Sequence, residues 1–272
     1  MDIGSDYPRA TWRLIQSVPA DGATNMAVDE AILRAVAAGH VPPTLRLYAW
    51  EPACLSLGRA QSVADVDVQA LQAAGFGLVR RPTGGKAILH IDELTYSVVA
   101  PETEPRVAGG IVESYRRLST GLVCGLERLG VTDLVADQRA GNRRPEGPVC
   151  FEVPSDYEIT AGARKLVGSA QMRAQSVVLQ HGTVPLYGDI TRICPLLAAR
   201  PDPTRVRARA TTVGEMMGRL VTWDEVTEAV VAGFARALNL CLEPGRLTSE
   251  ERTWAEELRA AKYAVGTWTA HV

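Results

Sequence analysis

The chain has 272 residues, 46% hydrophobic and 22% charged, with 31 acids against 29 bases and a formal net charge of −2. That length supports a sizeable core without metal or disulfide staples, and the balanced composition excludes disordered, collagen-like and coiled-coil chains and a polycation built to coat nucleic acid. No apolar run approaches the roughly 18 residues of a membrane span, and MDIGSDYPRATWRL lacks the order of a signal peptide, so a cytoplasmic protein with no membrane partner is expected.

In chain order, Thr11 to Ser17 reads as a strand, and Asn25 to Ala38 as a long Ala-rich helix ended by Gly39. Alternation over Leu45 to Ala49 predicts a half-buried strand, and Cys54 to Leu57 a second short one. Asp65 is expected to cap a helix running through Ala74. Strands follow at Phe76 to Arg81, Lys86 to His90 and Leu94 to Ala100, with Gly84-Gly85 as a turn among them. Gly110 to Leu129 has helical spacing of apolar residues, closes at Gly130 and should pack on the sheet. Arg139 to Pro154 holds three prolines and two glycines and reads as a functional loop. Strands are expected at Tyr157 to Thr160, Lys165 to Gln171 and Ser176 to Val184, and the capping boxes Thr222/Glu225 and Thr248/Glu251 open C-terminal helices.

Five widely spaced cysteines with no CxxC pair argue against a disulfide framework or a zinc site. Cys54, Cys124, Cys194 and Cys241 have apolar neighbours and read as packing residues. Cys150 follows the basic stretch Arg143-Arg144 and is either a thiolate held by positive charge or a half-buried loop cysteine. Of the 29 bases only Lys86, Lys165 and Lys262 are lysine. A chain that otherwise uses arginine can keep lysine where a compact point charge or a proton-releasing amine is wanted, although for Lys262 chance suffices. Gly-Gly-Lys fails as a P-loop, because Arg80 and Ala87 stand where that motif needs glycine and Ser or Thr. His90 and His181 are too few, and too isolated from carboxylate pairs, for a metal site.

RRPTGGKAILH (80–90), ELTYSV (93–98), CFEVPSDYEI (150–159), RKLVGSAQ (164–171) and LQHGTV (179–184) occur in one order. Together they resemble the biotin/lipoate protein ligase family over roughly residues 10 to 245, within it the octanoyl-[acyl carrier protein]:protein N-octanoyltransferases of lipoate biosynthesis. The resemblance implies an α+β fold of mixed, mainly antiparallel sheets flanked by helices, with the glycine turn and the KLVGSAQ strand bordering an acyl-binding tunnel. A single domain over 1–272 is expected, with 40–245 as catalytic core and 246–272 as a C-terminal helical tail. The resemblance further implies Cys150 as acyl-accepting nucleophile with Lys165 beside it, no cofactor, octanoyl-acyl carrier protein as donor, and lipoyl-domain proteins (glycine cleavage H protein or dehydrogenase E2 subunits) as acceptor. Arg80, Gly84, Gly85, Lys86, Ala87, His90, Gly168, Ser169, His181 and Gly182 are the substrate-binding candidates. Lys86 and Ile91 depart from the family pattern, which usually has arginine or glycine at the first and an acid at the second.

Octanoyl transfer from a thioester to an amide can run through an enzyme thioester, for which a neighbouring ammonium such as Lys165 would favour the thiolate and steady the oxyanion. The alternatives are an ATP- and Mg-dependent lipoate or octanoate ligase, an amidotransferase moving octanoate between lipoyl domains, and a non-catalytic carrier-binding module. The loop cysteine, and a chain with about 27 residues beyond the family match, too few for an accessory domain, favour the transferase. Arg139, Arg143 and Arg144, with Arg200, Arg205, Arg207 and Arg209, form a candidate positive rim for acidic carrier domains.

Overall fold

The computed structural model describes residues 7–137 and 158–270. The strands are β1 (Ala10–Gln16), β2 (Thr44–Tyr48), β3 (Cys54–Leu57), β4 (Gly77–Arg80), β5 (Ile88–His90), β6 (Glu93–Pro101), β7 (Leu134–Asp137), β8 (Glu158–Ala161), β9 (Arg164–Ala174), β10 (Val177–Pro185) and β11 (Leu240–Pro244). The helices are α1 (Gly22–Ala37), α2 (Val68–Ala73), α3 (Ile111–Leu129), α4 (Pro203–Arg209), α5 (Val213–Met217), α6 (Trp223–Ala237), α7 (Ser249–Leu258) and α8 (Gly266–Ala270).

Among the described residues, eight strands form one sheet in the order β11-β1-β2-β6-β10-β9-β8-β7, and β4-β3-β5 form a second. Pairing is parallel only at β1–β11, β1–β2 and β3–β4, so the architecture is the mixed, mainly antiparallel α+β fold expected. One face of the large sheet packs on α3 and α6 through Leu47, Tyr96, Val98, Leu118, Leu122 and Phe234. The other face packs on α1 through Ile15, Ile32, Val99 and Leu179, while the small sheet has its own core around Leu55, Leu57, Leu71 and Ile193.

Cβ alternation explains most of this layering, since β6 puts successive side chains into two different cores. β2 departs from its half-buried reading: all five residues are buried, because the face carrying Arg46 is covered by α1 and the guanidinium is ion-paired there. Asp65 is not a helix cap. Ser62 caps a short 3₁₀ turn at Val63–Asp65, Val66 is extended, and Asp67 caps α2 by accepting from the Ala70 N–H at 3.0 Å. β7, β11, α4 and α5 are additional to the sequence reading, and both capping boxes form as expected.

The ends of the chain are woven into this body. β1 and α1, before residue 40, belong to the large sheet and its core, and α7 packs on α1. Glu251 of α7 is fully buried and takes Arg13 Nη1 at 2.8 Å and Nη2 at 2.5 Å. Lys262 has a partner too: its ammonium binds Glu30 of α1 at 2.6 Å and lies over the Trp268 ring.

Candidate active site

Asp21 caps α1 by accepting from the Thr24 N–H at 2.7 Å, and the helix then carries Asn25, Met26 and Asp29 into the interior. Asp29 is fully buried and takes four donors: Arg46 Nη1 at 2.7 Å, Tyr48 Oη and Ser97 Oγ at 2.9 Å, and His181 Nδ1 at 3.3 Å. Burial alone would push that carboxyl up, but the Arg46 guanidinium and His181 hold it below the ordinary 3.8. Burial pushes the His181 imidazole below its ordinary 6.5, against the pull of Asp29 and with help from Arg81 and His90. A neutral ring results, whose Nδ1–H donates to Asp29 and whose Nε2 accepts the Thr83 hydroxyl at 2.6 Å.

The small sheet faces this network and is closed by the turn between β4 and β5. Arg81 holds that turn to β3, donating to the carbonyls of Ser56 at 3.1 Å and of Gly84 and Lys86 at 2.8 Å, and to Ser56 Oγ at 3.0 Å. Gly58 makes room for it, since a Cβ there would fall 1.9 Å from the Gly85 carbonyl oxygen. Gly85 has φ +94°, the left-handed region that glycine adopts without strain. His90 joins the sheets: Nε2 accepts from Ser56 Oγ at 2.8 Å, Nδ1 donates to Glu93 at 2.6 Å, and the ring stacks on Trp50 with centroids 3.9 Å apart. Glu93 also accepts from Thr95 at 2.5 Å and from Thr183, and Thr95 Oγ1 accepts the indole N–H of Trp50 at 2.8 Å.

Between the layers lies a narrow cleft, about 400 Å³ when the space open to solvent is counted. Tyr48, Thr95, His181, Thr183, Gly168 and Ala170 of the large sheet line one side, Ser56, Arg81, Gly85, Ile88 and His90 the other, with Met26 and Trp50 between them. Its polar side chains are already hydrogen-bonded to one another, so the space they leave suits an extended apolar chain.

The model of the lipoyl protein ligase A/B catalytic domain matches residues 21–235, the span that contains every residue of this cavity. The chain belongs to that family. An octanoyltransferase, LipM, of Symbiobacterium thermophilum is 45% identical over 94% of this chain and 97% of its own. Another of the same name, from Moorella thermoacetica, is 44% identical over 96% and 98%. Of solved structures, a lipoate-protein ligase A bound with ATP superposes with a TM-score of 0.81 at 25% identity, covering 96% of this chain and 99% of its own. A T. acidophilum protein with bound lipoic acid gives 0.79 at 26% identity, covering 97% and 100%.

Within this lipoyl ligase A/B fold, the cavity brings together Gly85, His90, Gly168, Ser169, His181 and Gly182 from the sequence candidates. Gly84, Lys86 and Ala87 are not among its lining; Ala87 is buried in the small core, and Gly84 is exposed on the outside of the turn. Arg80 is also outside the lining. Its guanidinium is spent on the carbonyls of Gly58, Arg59, Gln61, Trp268 and Thr269, tying α8 to the small sheet, while its neighbour Arg81 borders the cavity. Gly182 has no room for a side chain: a Cβ there would meet Ser169 Oγ at 2.4 Å and Tyr96 Cε1 at 2.6 Å, on the far side of the sheet. The two histidines each have a carboxyl partner, contrary to the sequence reading, yet among the described residues no group of three metal-ligating side chains assembles.

Lys165 is 4% exposed and its ammonium is ion-paired with Glu158, a partner the sequence did not suggest. The register between β8 and β9 slips between Ile159 and Thr160, leaving Leu166 unmatched and separating Lys165 from the face that Val167 shares with α3 and α6. Cys150, Arg139, Arg143 and Arg144 lie outside the described residues. Of the other cysteines, Cys54 and Cys194 are buried, and burial pushes the Cys54 thiol up to about 12. Two of the four arginines of the second cluster are ion-paired at the surface, Arg200 with Asp67 and Arg207 with Asp189. No helix among the described residues is long and apolar enough to cross a membrane.

Proposed function

We propose that this chain is an octanoyltransferase that takes an octanoyl group from acyl carrier protein and delivers it to a lysine of a lipoyl-domain protein through a thioester on Cys150. The observation that carries the reading is near-full-length identity of 44–45% to octanoyltransferases, with a narrow cavity for an apolar chain beneath the glycine turn. The Cys150 thiolate attacks the donor thioester, a new C–S bond forms, and the carrier thiolate leaves and takes a proton. The acceptor amine then attacks the enzyme thioester, the C–N bond forms, and Cys150 is released. Lys165 would favour the attacking thiolate, its effect tempered by Glu158, and the Arg81-anchored turn would hold the acyl chain.

Octanoyl-acyl carrier protein, a lipoyl domain and the enzyme, without ATP, test the reading. Octanoylation of the lipoyl domain is expected with wild type and not with Cys150→Ala. Transfer that requires free octanoate and ATP would instead establish a ligase, and transfer only from an octanoylated lipoyl domain an amidotransferase.

A further inference from the structure

We propose that the C-terminal segment 259–270 is a strap that positions the glycine turn for transfer, acting through Arg80, an inference that rests on the octanoyltransferase reading. The small sheet has the order β4-β3-β5, so β4 is an edge strand, and its last residue, Arg80, leads into the turn. No further strand covers that edge among the described residues; α8 does. The Trp268 indole N–H donates to the Arg80 carbonyl at 2.9 Å, and the Arg80 guanidinium donates in return to the carbonyls of Trp268 at 3.2 Å and Thr269 at 2.7 Å. Carbonyls at the end of a helix have no partner within it and favour a cation. Arg80 Nη1 donates on the other side to the carbonyls of Gly58 at 2.8 Å and Gln61 at 2.6 Å. The turn rests on Gly58, and the next residue, Arg59, donates its N–H to the Thr83 carbonyl at 2.8 Å. Arg80 is fully buried, so its donors must stay filled, and it fixes α8 and the 58–61 segment relative to one another.

The root of the strap is on α1. Arg259 donates to Thr24 Oγ1 and to Asp21, each at 3.0 Å, and a single π-helical turn follows at Arg259–Tyr263. Tyr263 Oη and Lys262 Nζ both donate to Glu30, at 2.5 and 2.6 Å. Lys262 lies 4.3 Å from the centroid of the Trp268 ring, and Tyr263 meets the same ring edge-on at 6.0 Å. The segment thus joins α1, whose Met26 lines the cavity, to the turn that contributes Arg81 and Gly85 to it. Without α8, Arg80 would keep its partners in 58–61 and lose those that tie it to α1 through the strap, and the turn with its Arg81 guanidinium would be free to shift against the helix. A shift of about 1 Å in a group that positions substrate costs on the order of 100-fold in rate.

The experiment compares wild type with a chain ending at Val265 and with Trp268→Ala, Trp268→Phe and Arg80→Lys. It measures octanoyl transfer from octanoyl-acyl carrier protein to a lipoyl domain, thermal melts, and hydrogen exchange by mass spectrometry. In the shortened chain and in Trp268→Ala, kcat should fall by roughly 20-fold or more while KM for the carrier protein stays within about three-fold. Exchange should quicken in 57–61 and 81–87 and stay as in wild type in 22–37. Trp268→Phe keeps a ring beside Lys262 but loses the N–H to Arg80, and Arg80→Lys keeps the charge but not the fork of donors, so both should fall between those variants and wild type. They carry the test alone if the shortened chain does not fold. A lower melting temperature with wild-type kcat per folded molecule would reduce the segment to a stabilising tie and overturn the proposal, as would unchanged exchange in 57–61 and 81–87. Either result leaves the octanoyltransferase reading intact. Absence of transfer by wild type would overturn that reading and this one with it.

Discussion

Adjacent glycines in the turn between β4 and β5 should respond very differently to the same methyl group. At Gly84 nothing lies within 4 Å of an added Cβ, so Gly84→Ala is expected to keep kcat/KM within about two-fold of wild type. At Gly85 the Cβ meets Arg81 Nη2 at 2.7 Å and the backbone stands at φ +94°, so alanine there both strains the chain and displaces the side chain that ties down the turn. Gly58→Ala is the most severe, since its Cβ would sit 1.9 Å from the Gly85 carbonyl oxygen, whereas comfortable contact begins at about 3.4 Å. The turn must therefore withdraw by about 1.5 Å, breaking the Arg59 N–H to Thr83 carbonyl bond of 2.8 Å. A displacement of that size in the lining of the candidate cavity is expected to cost on the order of 100-fold in kcat/KM. Overpacking of about 1 to 3 kcal/mol lowers the melting temperature by roughly 2 to 10 °C. Octanoyl transfer kinetics and differential scanning calorimetry on the three variants check this. Equal losses at Gly84 and Gly58, or none at Gly58, would show that the close approach of the turn to Gly58 does not govern transfer.

His181 binds its proton below 6.5 in the folded state, so the unfolded chain takes up more protons as pH falls through that value and stability must decline from about pH 6.5 downward. His181→Gln should flatten the melting temperature between pH 7 and 5, and an unchanged slope would remove His181 as its source. Glu251→Ala should cost about 3 to 5 kcal/mol in urea unfolding, because it leaves Arg13 buried without its carboxylate; a loss under 1 kcal/mol would show α7 to be dispensable. Lys165→Ala should move the alkylation of Cys150 by iodoacetamide to higher pH, and Glu158→Gln should move it to lower pH, since it frees Lys165 of its counter-charge; shifts of the same sign in both would break the proposed electrostatic link. In the same assay Cys54, with its thiol pushed up to about 12, should stay unmodified at pH 8.

Features encoded by neighbouring residues were legible in the sequence. Thr222 with Glu225 and Thr248 with Glu251 cap helices through contacts three residues apart, and Gly130 closes α3 at φ +107°, a conformation suited to glycine. The RRPTGGK turn was visible for the same reason. That Arg81 and not Arg80 borders the cavity was not legible, because both precede the turn and only the packing of α8 decides which guanidinium it absorbs. Asp29, Arg46, Trp50 and Glu93 gave no local signal, since their roles come from partners such as His181, 152 residues from Asp29, brought near by sheet order. β2 misled for a related reason: alternation reports one buried face, and here a second helix layer covers the other. Ion pairing hides Arg46 in a strand that reads as half exposed.

Intact mass spectrometry of the protein after mixing with octanoyl-acyl carrier protein alone looks directly for the proposed octanoyl thioester on Cys150. One octanoyl adduct is expected, removed by hydroxylamine, mapped to the peptide holding Cys150, retained in Cys124→Ala and missing in Cys150→Ala. An adduct on another residue, or full octanoyl transfer to a lipoyl domain by Cys150→Ala, would contradict it.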